Sequence, residues 1–165
     1  MEPTKDTYDQ LGRAYQYFNT ALFEGRLPSC VLVLHRKKNA KGYFWGDTWI
    51  GRASDGVTDE IALNPEVFPE RTDTEILSTL VHEMCHLEQH HFGKPSRTGY
   101  HNAEWARMMR RVGLIPTDTG SHGGKETGQR VTHLIEENGA FDAACAALLE
   151  EGFVLHQIEI CETCC

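Results

Sequence analysis

The chain has 165 residues, 40% hydrophobic and 24% charged, which is enough apolar material for one ordinary domain and too little length for a second full one. Sixteen basic against twenty-four acidic residues give a net charge of -8, the wrong sign for a protein whose whole surface grips nucleic acid. No apolar run is long enough to cross a bilayer, and the polar segment MEPTKDTYDQ lacks the pattern of a secretory signal, so a cytoplasmic protein without membrane contact is expected.

In chain order, Tyr8, Leu11, Tyr15, Phe18 and Leu22 recur at intervals of three and four. That stripe predicts an amphipathic helix over 4–24, stopped by Gly25 and Pro28. Three β-rich segments follow at 30–34, 42–50 and 57–63, each bounded by turn residues. Their connections are too short for crossover helices, so antiparallel pairing is expected. Thr72-Asp-Thr-Glu75 is a capping box, and Ile76, Leu77, Leu80, Val81, Met84 and Leu87 continue a helix to about residue 91. Asn102 is a good N-cap for another helix, carrying Trp105, Met108, Met109 and Val112 and ending at Gly113. Residues 117–130 hold four glycines and read as a long loop, either a lid or a plain surface loop. A strand over 131–135, a helix over 141–150 and a strand over 153–158 complete the prediction. The pattern divides into a core, 1–118, and a carboxy-terminal extension, 119–165.

Nine histidines and six cysteines stand out. Cys30, Cys85 and Cys145 lie in apolar surroundings, where buried thiols are expected. Cys161 and Cys164 form a C-x-x-C pair, which binds zinc only if a second pair completes a ribbon. The basic residues Arg36, Lys37, Lys38 and Lys41 form one cluster, and Arg107, Arg110 and Arg111 another, so a local DNA contact is a subordinate expectation. Trp45 and Trp49 could stack bases, with core packing the expected use of at least one.

Within the central helix, His82-Glu-Met-Cys-His86 fits H-E-x-x-H. Residues i and i+4 share a helical face, so both imidazoles can reach one zinc ion, and Glu83 projects beside it as a base for a water bound to the metal. A catalytic zinc needs a third protein ligand and an open position. His90 lies eight residues from His82, about 12 Å along the axis, too far to share the ion. His91 is off the face. Phe92 and Gln89 stand where a metzincin would need His and Gly. If the chain reverses at Gly93, His101 returns ahead of the next helix and is the expected third ligand, with Glu104 as rival or as a group orienting a ligand imidazole. Tyr100 is a further candidate beside the substrate. His122 and His133 are read as surface or packing residues. Two functions follow from the residues alone: a zinc endopeptidase acting on protein or peptide, or a zinc-containing module that binds protein or nucleic acid without cutting.

Three ordered segments, Phe18-Asn-Thr-Ala-Leu-Phe-Glu-Gly-Arg-Leu-Pro28, His82-Glu-Met-Cys-His86 and His101-Asn-Ala-Glu-Trp105, resemble the SprT-like zinc metallopeptidases, which include the Spartan proteases acting on DNA–protein crosslinks. The resemblance covers about 15–114. It implies an α+β, zincin-like fold with a small antiparallel or mixed sheet packed on the amino-terminal helix and the active helix. It also implies zinc at His82, His86 and His101 with Glu83 as base, and a substrate strand lying along Glu60-Ile-Ala-Leu-Asn64 as the sheet edge. Asn102 departs from the family's usual glycine, and only Cys161 and Cys164 could begin its terminal zinc ribbon.

Overall fold

The structure is a computed structural model that describes residues 2–53 and 56–155. Helix α1, Pro3–Phe23, buries Leu11, Ala14, Tyr15, Phe18 and Phe23 along the predicted stripe. It stops because Glu24 and Gly25 both take positive φ, 57° and 70°, and the Gly25 amide donates back to the Asn19 carbonyl. Asn19 is buried, and its side chain clamps the departing chain: it donates to the Leu27 carbonyl at 3.0 Å and accepts from the Leu27 amide at 3.1 Å. The spacing of Phe18, Asn19, Phe23 and Leu27 is thus the geometry of a helix end folded back on its own core.

Strands β1 (Val31–Leu34), β2 (Gly42–Ile50) and β3 (Val57–Leu63) lie where the sequence predicts them, in the order β1-β3-β2. β2 and β3 are antiparallel as expected. β1, however, pairs with β3 in parallel, because β2 lies between them in sequence and provides the crossover that no helix supplies. β3 therefore takes the centre, where Ile61, Ala62 and Leu63 are buried. The expectation that residues 60–64 form the edge is corrected by this order, and β2 is the edge beside the helix over 73–92. The β2–β3 register shifts between Trp45 and Trp49, a bulge at which Asp47 takes φ 51°. Trp45 and Trp49 are both exposed, at 61% and 48%, so neither is a core residue.

Asn64 caps a short 3-10 helix, Pro65–Glu70, where the sequence showed only a turn. Helix α2, Asp73–Phe92, opens with the expected capping box. Its residues are buried almost all round between 76 and 85, as befits a central helix. Helix α3, Ala103–Arg111, is capped by the Asn102 side chain accepting from the Trp105 amide. Strand β4, Leu114–Thr117, carries Pro116 and is an element that the sequence pattern does not show. It pairs antiparallel with β5, Thr132–Ile135, in a two-stranded sheet where a missing amide donor is tolerated at an edge. Helix α4, Ala140–Glu150, follows. Residues 153–155 form no strand, and the remainder of the strand expected at 153–158 lies outside the described residues.

Val131, Phe141, Cys145 and Leu148, all beyond residue 118, share one apolar cluster with Leu77, Leu80, Met84 and Trp105. Cys30, Cys85 and Cys145 are free thiols, and burial pushes the Cys30 thiol up to about 12. Among the described residues, no helix is long and apolar enough to cross a membrane.

Candidate metal centre

The i, i+4 spacing on α2 stacks His82 and His86, with ring centroids 5.4 Å apart. The reversal after Gly93 then brings His101 against both, at 5.8 Å and 4.8 Å. One donor atom from each of the three lies within 4.8 Å of the others. Ligand nitrogens about 2 Å from a common ion lie roughly 3.3 Å apart, so small side-chain rotations close the set. Trp105, fully buried on α3, forms the floor: its ring stacks on His86 at 19° and meets His82 and His101 edge-on.

Hydrogen bonds assign the tautomers. The Ser78 hydroxyl donates its single proton to the Glu75 carbonyl, so it accepts from His133 Nε2 at 2.8 Å. His133 Nδ1 then carries a lone pair and accepts from His82 Nδ1, 3.0 Å away, which leaves the His82 Nε2 lone pair free. His101 is fixed in the same way, its Nδ1 donating to the Gly128 carbonyl at 3.0 Å. The backbones of His101 and Gly128 also exchange two hydrogen bonds of 2.9 Å, and Gly128 sits at φ 135°, where a side chain would be strained. Burial holds all four imidazoles below their ordinary range, His86 and His133 to about 3. Neutral imidazoles with outward lone pairs are the form that ligates a cation.

Glu83 is 6% exposed. Burial pushes its carboxyl up to about 8, against the opposing pull of the Lys37 ammonium. It lines, with the three histidines, a cleft of about 810 Å³ walled by Gly42 to Gly46 of β2 on one side and by Tyr100, Gln129 and Arg130 on the other.

The remaining candidates are placed differently. Glu104 accepts from Gln89 Nε2 at 2.8 Å and from the Lys94 amide at 2.7 Å. It anchors the 93–102 reversal rather than joining the histidine set. Gln89 also donates to Asn102 Oδ1, and Asn102 Nδ2 donates to Lys94 and Ser96, so the asparagine supports the loop that delivers His101. His90 and His91 face Asp47 and Asp59 instead. Neither Glu104 nor His90 belongs to the three-histidine set, which keeps an open side toward the cleft. His122 is exposed as expected. Of the two readings of His133, surface or packing, the structure shows packing: it is half-buried, outside the three-histidine set, and hydrogen-bonded to His82. The glycine-rich stretch does more than either expectation allowed, since its end at Gly128 holds His101. The antiparallel return of β5 on β4, which aims His133 at α2, had no local signal. Cys161 and Cys164 lie outside the described residues.

A family model described as the SprT-like family matches residues 11–125. The chain is also similar to a Salmonella typhimurium protein described as an uncharacterized protein in the mucB 3' region, 46% identical over 59 residues, which is 36% of this chain and 80% of that one.

Proposed function

The chain belongs to the SprT-like family, and from that premise we propose that it is a zinc-dependent endopeptidase with a zincin-like catalytic domain. The observation that carries the reading is the convergence of His82, His86 and His101, all with neutral imidazoles, beside the buried carboxyl of Glu83 and open to the cleft. Three imidazoles and one free position suit a catalytic zinc rather than a closed structural one. When bound, the cation would polarise a substrate carbonyl, acidify water and favour the ionised form of Glu83.

The chain's own residues do the rest. Glu83 accepts the proton of the attacking water and returns it to the leaving amine. His133 and Gly128 hold two of the ligand rings in a single tautomer and orientation. Trp105 keeps the floor dry. The edge of β2 beside the cleft offers backbone groups to an extended substrate, which would lie there by strand addition.

A local DNA contact is part of the proposal. Lys37 and Lys41 line the cleft, and Arg36 and Lys38 share their loop. The α3 cluster is less suited, because Arg110 is paired with Glu126 and Arg111 with Glu88. Salt-sensitive binding of single-stranded DNA, weakened when Lys37 and Lys38 are replaced by Ala, would support this contact.

The central test is Glu83→Gln. The variant is expected to keep its zinc, by elemental analysis, while cleavage of a denatured protein falls by about 10²–10⁴. A variant that cleaves as fast as the parent would overturn the peptidase reading. A parent that binds zinc and cuts no protein would leave the binding-module reading.

A further inference from the structure

Where the cleft meets the carboxy-terminal end of α2, with His90 on its wall, lies a second convergence of metal-binding side chains. His90, His91 and Asp59 each offer a donor atom within 4.8 Å of the others. We propose that these residues form a second divalent transition-metal site, independent of the His82 centre.

The site is built rather than casual. Asp59, on the central strand β3, is 2% exposed, and its carboxylate is held from two sides. One oxygen accepts the Asp47 amide at 2.8 Å, and the other lies 2.6 Å from His91 Nε2. His90 Nε2 lies 3.7 Å from the first oxygen and 3.1 Å from Asp47 Oδ2. The β2 bulge makes this possible. Asp47 turns its amide inward at φ 51°, and Gly46 leaves room for the imidazole, since a Cβ there would come within 2.7 Å of His90 Cε1. A simple ion pair would use one imidazole on the carboxylate. Here two imidazole nitrogens and a fixed carboxylate oxygen converge, with a second carboxylate at the open side. Two nitrogens and one or two oxygens suit zinc, cobalt or nickel and not calcium or magnesium. A cation there would tie the cleft-wall strand β2 to the end of α2.

The test counts ions. The full chain carrying Cys161→Ser, Cys164→Ser and Cys165→Ser, which removes the terminal thiols, is stripped with chelator, dialysed against a small excess of zinc chloride and analysed for zinc. Two ions per chain are expected, falling to one in His90→Gln/His91→Gln and also to one in His82→Gln/His86→Gln. His90 and His91 are partly exposed, so their replacement should leave the fold intact, checked by circular dichroism. A parent that binds a single ion, lost with His82 and His86, would overturn the proposal. So would a second ion that survives His90→Gln/His91→Gln. The peptidase reading fails separately, if no zinc remains in the His90→Gln/His91→Gln variant or if that zinc supports no cleavage.

Discussion

Replacing His133 by Leu should weaken zinc binding without touching a ligand. His133 accepts from His82 Nδ1 across 3.0 Å and is itself held by Ser78 at 2.8 Å. Leucine removes the acceptor, so the His82 Nδ1 proton is left buried without a partner, at a cost of about 1–3 kcal/mol. The ring escapes that cost by moving its proton to Nε2, which removes the lone pair aimed at the cation. Loss of such an orienting partner costs about 10–100-fold in metal affinity, equivalent to roughly 1.4–2.7 kcal/mol. The measurement is a competition titration of the stripped protein against a chromophoric zinc chelator. His133→Gln is the matched control, because its amide oxygen can accept from His82 while its nitrogen donates to Ser78, and its affinity should stay near the parent's. The reasoning is refuted if the Leu variant binds zinc as tightly as the parent, or if the Gln variant is as weak as the Leu variant.

Asn19→Ala leaves the buried amide and carbonyl of Leu27 without partners, so unfolding stability should fall by about 2–4 kcal/mol, a loss of roughly 5–15 °C in Tm; a Tm unchanged within error would remove the clamp from the account of the helix end. The zinc-free protein should also show a stability maximum near neutrality. His82, His86, His101 and His133 are held neutral by burial, whereas their unfolded counterparts take up protons below pH of about 6.5. Stability is therefore lost as pH falls from there toward 3, by up to about 1.4 kcal/mol per pH unit for each proton. Glu83, raised to about 8, acts oppositely: its contribution is present at low pH and is lost as pH rises through 8. Thermal melts in chelator should thus drop steeply below pH of about 6 and gently above 7, and a Tm that rises on acidification from neutrality would contradict the burial argument.

What the sequence makes legible here is local. The α1 stripe, the Thr72–Glu75 capping box and the Asn102 cap each involve residues within a turn or two of one another, so periodicity and side-chain chemistry are enough to place the helices. The H-E-x-x-H spacing belongs to the same class, because four residues on a helix fix a shared face whatever the rest of the chain does. Pairings between distant segments are another matter. That β3 rather than β2 is central depends on Ile61, Ala62 and Leu63 being buried on both faces, while alternation alone fits an edge equally well. β4 is four residues long and includes Pro116, whose missing amide matters only if that side of the strand must be paired. His133 stands 51 residues from His82, and nothing in Thr132-His-Leu-Ile135 marks one imidazole as a partner for another.

The same contrast explains how His101 is held against the other two histidines. His82 and His86 are positioned by one helix, but His101 follows a reversal with no regular structure of its own, and a loop histidine would ordinarily sample many positions. Three constraints from outside the loop remove that freedom. Gln89 of α2 bonds both Asn102 and Glu104, Glu104 returns to the Lys94 amide, and Gly128 pairs with the His101 backbone and ring together. Asn102 is the residue that departs from the family's usual glycine, yet it makes hydrogen bonds in this loop that glycine has no side chain to make. The departure therefore strengthens the case for His101 as a ligand: the substitution supplies a tether at the point where the chain must deliver an imidazole to the other two.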